Sequence, residues 1–374
     1  MKFCYFHFMP WTGIAEAGQD WPVRNSQFDP SQATGLYRTY LDHMAYAEEC
    51  GFDWVGCNEH HFSPYGLMSN PNLIGSALIQ RTSTIKIAML GCLVPLLNPI
   101  RVAEEYAMLD VMSGGRLIAG FMRGIPHEYV AYNVPPSESF ERMQEASELI
   151  RKAWTQPEPF GWEGKHYRFR AVSIWPRPLQ QPHPPILMSG SALESARFAA
   201  ANRAKLGIVR LTDLESVRAD IAEYKATARA AGWEPEASDI LLGQYVAIAE
   251  TAAEAKRNLS QGIDYFLNVL NGGIRTAANL VLQDTRYYTA RQNVETTAKR
   301  VAVLKGMSIE ERIEKGLVLC GTPDQVVDQI RRLHRDTGAG VINVTMKVGN
   351  IPDEAVHRGM TLFKDHVVNE LRDL

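Results

Sequence analysis

Short apolar runs rich in Val, Ile and Phe alternate along the chain with longer stretches of helical period. This alternation is typical of β/α units that build a parallel sheet. Eight runs are predicted as strands, and they are Lys2–Phe8, Asp53–Asn58, Ile85–Val94, Arg116–Phe121, Ile186–Ser189, Leu206–Arg210, Gly243–Ala249 and Val341–Lys347.

The segments between these runs have the pattern of amphipathic helices. The first, from Thr34 to Cys50, ends before Gly51, a residue type that commonly terminates helices. Others are predicted at Pro71–Thr82, Arg101–Met112, Ser137–Trp154, Ser191–Arg203, Asp213–Ala231 and Asp353–Leu371. No G-x-G-x-x-G motif opens the first helix. The pattern therefore favours an α/β fold of the closed (β/α)8 barrel type, the TIM barrel, over a doubly wound sheet.

Two stretches do not fit a minimal barrel. Residues 156–185, after strand four, are rich in Pro, Trp and Arg, and so many prolines exclude a helix or a central strand. We expect an irregular insertion or a mobile lid there. Residues 271–315 are mostly helical in character and predict a helical insertion before strand eight. In the helix that follows, Thr322 is the expected N-cap and Pro323 the first residue. The whole chain, 1–374, is predicted to be one domain.

Composition narrows the class of protein. The chain has 45% hydrophobic and 22% charged residues and a net charge of −3, with no run of like charges, so no nucleic-acid partner is expected. Neither a signal peptide nor an apolar stretch long enough to span a membrane is visible, which predicts a soluble cytoplasmic protein. The five cysteines are scattered and read as reduced core thiols.

Active sites of such barrels lie at the carboxyl ends of the strands. Strand two is followed there by Glu59, His60, His61 and Phe62. This group is open to three interpretations. The first is that the group ligates a metal, although the H-E-x-x-H spacing is absent. The second is that it forms a structural polar cluster. The third is that one imidazole faces the pocket as a general acid, base or hydrogen-bond donor.

Strands four and five are followed by residues suited to an anion. The Arg123 guanidinium, small hydroxyls and a helix amino terminus can all face one phosphate. The candidate set is Arg123, Gly124, Ser189, Gly190, Ser191 and Ser195. The alternative interpretation of Ser191 and Ser195 is that they only cap the helix that starts there.

Several motifs in one order give the chain a family resemblance. They are EHHF at 59–62, NPIRVAEE at 98–105 with SGGRL at 113–117, GFMRG at 120–124, SGSA at 189–192 and GTPD at 321–324. In order and spacing, over nearly the whole chain, they resemble the bacterial-luciferase-like flavin-dependent monooxygenases. That family has a (β/α)8 barrel with an insertion region, uses FMN or a deazaflavin, and usually works as a homodimer.

The resemblance implies roles for individual residues. His60 is the imidazole near the flavin, with His61 and Glu59 as its neighbours in the polar cluster. Arg123, Gly124, Ser189, Gly190, Ser191 and Ser195 hold the FMN phosphate. The Leu90–Gly91 bond lies where members often have a non-prolyl cis peptide behind the flavin ring, a bond that costs about 3–4 kcal/mol.

The implied function is a two-component monooxygenase. A separate flavin reductase supplies reduced FMN, O2 adds to form the flavin C4a-peroxide, and a small organic substrate is oxygenated. The expected substrate pocket is lined by Trp11, Phe62, Arg210 and Trp175, with Trp162 and Trp175 in a lid that excludes water. The substrate itself is open: the aromatic residues favour an apolar molecule, and Arg210 favours an anionic one.

Three alternatives remain at this point. The first is a deazaflavin-dependent dehydrogenase, which transfers hydride without O2. The second is a flavin-binding or structural barrel without catalysis, and the third is a metal-dependent hydrolase, although we expect no metal. The helices around Pro71–Arg81 and Arg101–Met112 are the expected contact face of the homodimer.

Overall fold

The computed structural model describes residues 1–14, 21–190, 192–208, 213–271 and 306–374. Its strands are β1 (Lys2–Phe6), β2 (Trp54–Cys57), β3 (Lys86–Met89), β4 (Cys92–Leu93), β5 (Leu117–Met122), β6 (Phe160–Glu163), β7 (Arg168–Val172), β8 (Ile186–Ser189), β9 (Lys205–Ile208), β10 (Ile240–Ile248), β11 (Val318–Gly321) and β12 (Val341–Thr345).

Eight of these strands close a parallel barrel. The order around the ring is β1, β2, β3, β5, β8, β9, β10 and β12, which pairs again with β1. The predicted barrel is confirmed, because each of the eight predicted runs contains or overlaps one of them. The short β4 pairs with β5, and β11 pairs with the distal half of β10. The sequence prediction missed β11.

The period of two in the strands sorts side chains between two cores. In β1, Cys4 and Phe6 lie inside the barrel with residues such as Leu90, Leu93 and Met122. Phe3 and Tyr5, the alternate residues, pack outward in the larger core between sheet and helices. Both sets are buried, which is why parallel strands read as continuous apolar runs.

The helices are α1 (Pro30–Glu49), α2 (Pro71–Ile79), α3 (Pro99–Met112), α4 (Pro126–Ala131), α5 (Ser139–Thr155), α6 (Leu193–Ala201), α7 (Leu214–Ala230), α8 (Ala252–Tyr265), α9 (Ile309–Glu314), α10 (Pro323–Thr337), α11 (Asp353–Phe363) and α12 (Asn369–Leu371). Asp29, Asn70 and Asn98 cap α1, α2 and α3, each before a proline. Helix α1 therefore begins four residues before the predicted start at Thr34. Helix α10 begins at Pro323, as predicted.

The first insertion is more regular than expected. Strands β6 and β7 form an antiparallel hairpin that packs along α5, where the Trp162 indole N–H donates to Glu145 Oε1 at 3.0 Å. The prolines that argued against strands are concentrated after this hairpin, at 176–185. Of the second insertion, 271–315, most lies outside the described residues, and α9 belongs to its last part.

The proline-rich segment is fixed at the amino-terminal end of the barrel. The Gln180 backbone N–H donates to Asp110 Oδ2 at 2.8 Å, and its side-chain amide donates to the carbonyl oxygen of Leu117 at 2.9 Å. Leu117 is the first residue of β5. Since α5 runs back from the carboxyl ends of the strands, an insertion after α5 starts at the opposite end of the barrel.

No helix within the described ranges is both long enough and apolar enough to cross a lipid bilayer.

Candidate functional site

Two imidazole–carboxylate pairs lie at the carboxyl ends of β2 and β5. The backbone turns after β2, and His60 and His61, although adjacent, contact different carboxylates. His60 Nδ1 lies 2.8 Å from Glu128 Oε1, and His61 Nε2 lies 2.8 Å from Glu59 Oε1. The structure therefore separates the predicted cluster of Glu59, His60 and His61 into two units, and it adds Glu128 from a distant part of the chain.

The first pair, His60 with Glu128, reaches the barrel mouth through its imidazole. The His60 side chain is 18% exposed, whereas that of Glu128 is fully buried. The Tyr65 hydroxyl lies 2.7 Å from the same His60 nitrogen, Nδ1. Phe8 packs against both His60 and Tyr65, with ring centroids 6.2 and 5.9 Å apart. His60 thus stands at the edge of an aromatic surface with one ring nitrogen already bound.

Glu128 is held from both sides. It is the third residue of α4, and its Oε2 accepts the backbone N–H of Ile125, the residue before the helix, at 2.8 Å. A glutamate at this position commonly caps a helix in this way. Burial raises the pKa of the Glu128 carboxyl to about 7, against the opposing influence of His127 and of the Ile125 N–H.

The second pair is enclosed. His61 and Glu59 side chains are each 4% exposed. Glu59 Oε2 accepts the backbone N–H of Leu93 in β4 at 2.8 Å, and His61 Nδ1 lies 3.3 Å from the Tyr132 hydroxyl. This pair fastens the turn after β2 to β4 and α4. Its contacts are those of a structural polar cluster.

A third imidazole, that of His127, is buried near the two pairs and near the aromatic side chains of Tyr65 and Trp21. Its ring lies 6.3 Å from that of Tyr65 and 6.0 Å from that of Trp21. Burial lowers the pKa of His127 to about 4, so the ring is neutral at pH 7.

Four of the six predicted anion-binding residues, Arg123, Gly124, Ser189 and Gly190, lie at or directly after the carboxyl ends of the adjacent strands β5 and β8. These strands pair with Phe121 opposite Met188, so Arg123 and Gly190 each follow two residues later. Arg123 Nε donates to Ser139 Oγ at 3.0 Å, and its guanidinium lies 5.5 Å from the Phe140 ring.

The first turn of α6 lies beside this group. Phe140 packs edge-on against Phe198 of α6 at 5.6 Å, and Ser195 is the third residue of that helix. Gly124 has φ of +95°, a conformation that favours glycine. Ser189 is the last residue of β8, and Ser191 lies outside the described residues.

The inner wall of the mouth is apolar. Phe6, Leu90, Leu93 and Met122 form the upper part of the barrel interior. The Leu90–Gly91 peptide is trans, because the cis peptides within the described ranges all precede prolines 22, 176 and 182. The cis prediction is wrong. Gly91 nevertheless has to be a glycine, since a Cβ there would overlap the Met122 side chain.

The three predicted substrate-pocket residues that the structure describes are scattered. Trp11 is 5% exposed, packs on Phe28 and donates its indole N–H to the Gln27 carbonyl oxygen, so it stabilises a satellite core instead of lining an open pocket. Phe62 is exposed and lies 6.2 Å from Trp21. Arg210 lies outside the described residues.

Trp175 contradicts the lid prediction. Its side chain is 86% exposed, but it belongs to the segment fixed at the amino-terminal end of the barrel, and Trp162 packs along α5. Neither tryptophan covers the mouth. The residues that sequence reasoning missed are His127 and Glu128. They follow Gly124 by only three and four residues, so a longer search after strand four would have found them.

Metal binding at the histidine pairs finds no support in geometry. Among the residues that the structure describes, no group of three or more His, Cys, Asp or Glu side chains is placed to hold a metal ion.

Relatives that share sequence with the chain include the following three proteins. Uncharacterized protein y4wF of Sinorhizobium fredii is 38% identical over 178 residues, 46% of this chain, which thereby spans about half (52%) of that protein. The alkanal monooxygenase alpha chain of Photorhabdus luminescens is 25% identical over 335 residues, 87% of this chain and 89% of the relative. An FMNH(2)-dependent dimethylsulfone monooxygenase of Pseudomonas putida is 27% identical over 223 residues, 58% and 59% of the two chains.

Solved structures share the fold over the whole chain. Monooxygenase RslO1 from Streptomyces bottropensis has a TM-score of 0.76 and 28% identity, with 99% of both chains covered. The oxygenating constituent of 3,6-diketocamphane monooxygenase of Pseudomonas putida, solved with FMN, has a TM-score of 0.75 and 20% identity, again over 99% of both. An F420-dependent secondary alcohol dehydrogenase has a TM-score of 0.69 and 17% identity over 100% and 99%. The last two likenesses show the fold alone.

The family model that matches this sequence is described as luciferase-like monooxygenase and spans residues 21–339, well over half of the chain. That range includes both imidazole–carboxylate pairs, Arg123 and the amino terminus of α6. The chain therefore belongs to the luciferase-like monooxygenase family of flavin-dependent enzymes, as its motifs predict.

Proposed function

We propose that the chain is the oxygenase component of a two-component FMN-dependent monooxygenase. In this proposal a separate reductase supplies reduced FMN, and O2 and the bound flavin oxygenate a small organic substrate by way of the flavin C4a-peroxide. The observation that carries the proposal is the position of His60, partly exposed at the mouth of a family barrel and bound through Nδ1 to the buried Glu128.

The residues at the mouth suit FMN. Arg123, Ser189 and Gly190 lie where the adjacent strands β5 and β8 end, and Ser195 lies in the first turn of α6. Such residues supply charge-assisted and backbone donors to a phosphate. The apolar inner wall of Phe6, Leu90, Leu93 and Met122 suits a flat ring system. The flavin, when bound, supplies the reaction with oxygen, while the protein binds, orients and excludes water.

His60 is the proposed proton-handling side chain. An imidazole in hydrogen-bond reach of a reacting atom accelerates proton transfer by typically 10²–10⁴-fold. Because Nδ1 is bound to Glu128, His60 would meet the flavin or the substrate through Nε2. His61 and Glu59, also predicted as catalytic, are too enclosed for that role, and we assign them to supporting the turn that carries His60.

The aromatic rim favours an uncharged, partly apolar substrate. Phe8 contacts Tyr65, Tyr245 and Phe266, with ring centroids between 5.4 and 6.4 Å, and Phe62 adds an exposed ring. These rings offer dispersion and edge-to-face contacts but few charges.

The homodimer also remains a proposal. Helices α2 and α3 expose Leu73, Met108, Val111 and Met112, each at least 45% accessible. Their exposure supports the predicted contact face, since apolar side chains gathered on one surface commonly mark an interface. Light scattering of the purified protein, with Met108→Glu as the disrupting variant, tests it.

Binding measurements separate this function from its alternatives. Reduced FMN, oxidised FMN and a deazaflavin are titrated anaerobically against the purified protein, and the complex that forms receives a pulse of oxygen. Tight binding of reduced FMN and a transient peroxide spectrum are expected. Preference for the deazaflavin would replace the proposal with a dehydrogenase. Binding of FMN without any reaction would indicate a barrel that only holds the flavin.

Arg123→Ala provides a control within the same titration. It removes a charged partner of the proposed phosphate site, so affinity for FMN is expected to fall by about tenfold or more, while affinity for riboflavin, which lacks the phosphate, is expected to stay the same. Equal losses for both flavins would contradict the assignment of the phosphate to this end of β5.

A further inference from the structure

Glu128 and His60 stand 68 positions apart in the chain, and the barrel brings them within 2.8 Å. Glu128 is completely buried, while His60 is partly exposed. One member of the pair is therefore sealed inside the protein and the other reaches the mouth. This is the arrangement in which a buried group sets the state of a reactive one.

The geometry points to Glu128 as the positioning residue of His60: its Oε1 lies 2.8 Å from Nδ1, so the two groups share one proton and the carboxylate sets which ring nitrogen carries it. This inference deepens the proposed function and rests on it in taking His60 as the reactive side chain. A carboxylate bound to one nitrogen of a histidine fixes the tautomer and the orientation of the ring.

Helix capping alone does not explain this contact. Capping uses only Oε2, which accepts the Ile125 N–H at 2.8 Å. The other oxygen, Oε1, faces His60 Nδ1. If the carboxyl served only as a cap, water at the protein surface could bind its second oxygen equally well. Here that oxygen is buried against an imidazole.

The charges around Glu128 allow it to exchange a proton near neutral pH. Among the described residues, three groups favour the charged form of its carboxyl: His127, the Ile125 N–H and His61. Glu59 favours the neutral form. Burial outweighs the three groups and raises the pKa of Glu128 to about 7. Burial raises the pKa of the nearby Tyr132 hydroxyl, which carries no charge at that pH.

The proton balance is simple. At a pH above the titration range of the pair, Glu128 is a carboxylate, Nδ1 of His60 carries the shared proton and Nε2 of His60 is a base. When Nε2 takes a proton from a reacting group, the proton on Nδ1 can pass to Oε1. The ring then stays neutral with its proton on Nε2, and the charge of the pair changes from −1 to 0. The reverse transfer returns the proton.

Glu128→Gln tests the inference while keeping the cap. Because Ile125 N–H requires an oxygen acceptor, the amide oxygen takes that place and the amide NH2 faces His60 Nδ1. An amide donor makes Nδ1 an acceptor, so the neutral ring is forced into the opposite tautomer, with the proton on Nε2.

The measurement is ¹⁵N NMR of histidine-labelled full-length protein without flavin, between pH 5 and 9, with His60 assigned by the signal lost in His60→Asn. For the unchanged protein we expect Nδ1 to carry the proton above pH 8. In Glu128→Gln we expect the tautomer to invert and the pKa of His60 to fall by roughly one unit or more. Glu59→Gln, the matched control, is expected to move the His61 signal and to leave the His60 tautomer unchanged.

Several results would overturn the inference. One is the same His60 tautomer and pKa in Glu128→Gln as in the unchanged protein. Another, which does not depend on the variant folding, is a proton on Nε2 instead of Nδ1 above pH 8 in the unchanged protein. Because these spectra need no cofactor, they remain separate from the proposed function: absence of reduced-FMN binding would end that function and leave the pairing of Glu128 with His60 intact.

Discussion

The two glutamate–histidine pairs have the same distance of 2.8 Å and opposite surroundings. In the first, the imidazole is the more exposed partner, and the carboxyl is fixed by one backbone N–H at the start of α4. In the second, both partners are enclosed and the carboxylate binds the N–H of Leu93 in β4. Adjacent histidines in one motif thus separate into a group that can meet a ligand and a group that holds the framework.

The largest expected effect follows from removing the imidazole that faces the mouth. In His60→Ala, product formation is expected to fall by about 10²–10⁴-fold, because the proton-transfer group is lost. FMN binding is expected to persist, since the proposed phosphate residues are untouched. Single-turnover product formation and flavin titration measure the two quantities. Loss of both to the same degree would mean that His60 only shapes the flavin site.

The second pair is expected to matter for stability. Glu59→Ala leaves the Leu93 N–H and the His61 ring without their acceptor, and breaking a buried pair costs about 3–5 kcal/mol. Urea unfolding followed by fluorescence measures the loss. Glu59→Gln, which keeps an acceptor for Leu93, is expected to recover part of it. An Ala variant as stable as the unchanged protein would show that the pair has no structural role.

The carboxyl of the first pair is expected to make stability depend on pH. The pKa of Glu128 is raised to about 7 in the folded protein from 4.5. Its contribution is therefore fully present below pH 4.5 and lost as the pH rises through 7, by about 3 kcal/mol at most. In Glu128→Gln this loss is expected to disappear, so that the variant gains relative to the unchanged protein between pH 5 and 8.

His127 is expected to oppose this trend at lower pH. The pKa of His127 is lowered from 6.5 to about 4, so its contribution to stability is lost as the pH falls from 6.5 to 4. Urea unfolding of both variants and the unchanged protein at several pH values separates the two slopes. His127→Phe removes the acid slope and, because His127 lowers the pKa of Glu128, is expected to shift the loss assigned to Glu128 to higher pH. Parallel curves for Glu128→Gln and the unchanged protein would contradict the assignment.

The contrast also shows what the sequence can and cannot reveal. The β/α alternation and the motif at 59–62 locate the barrel and the turn that carries His60. Glu128 was not predicted as its partner, because the contact joins the ends of β2 and β5 and only the closed ring brings them together. The same holds for Trp175. The composition of residues 156–185, which include Trp175, suggested a lid. An insertion that follows α5, however, begins at the amino-terminal end of the barrel.

The smallest expected effects distinguish the two tyrosines. Tyr65 is buried, and its hydroxyl lies 2.7 Å from His60 Nδ1, whereas Tyr132 is partly exposed and its hydroxyl lies 3.3 Å from His61 Nδ1. Short, buried hydrogen bonds contribute more than long ones near solvent, so Tyr65→Phe is expected to cost about 1 kcal/mol and to alter the NMR titration of His60. Tyr132→Phe is expected to cost under about 0.5 kcal/mol and to leave that titration unchanged. Thermal unfolding and the histidine spectra measure both. If Tyr132→Phe moved the His60 signal as far as Tyr65→Phe does, the two pairs would be one coupled network, and the division between a reactive and a structural pair would be wrong.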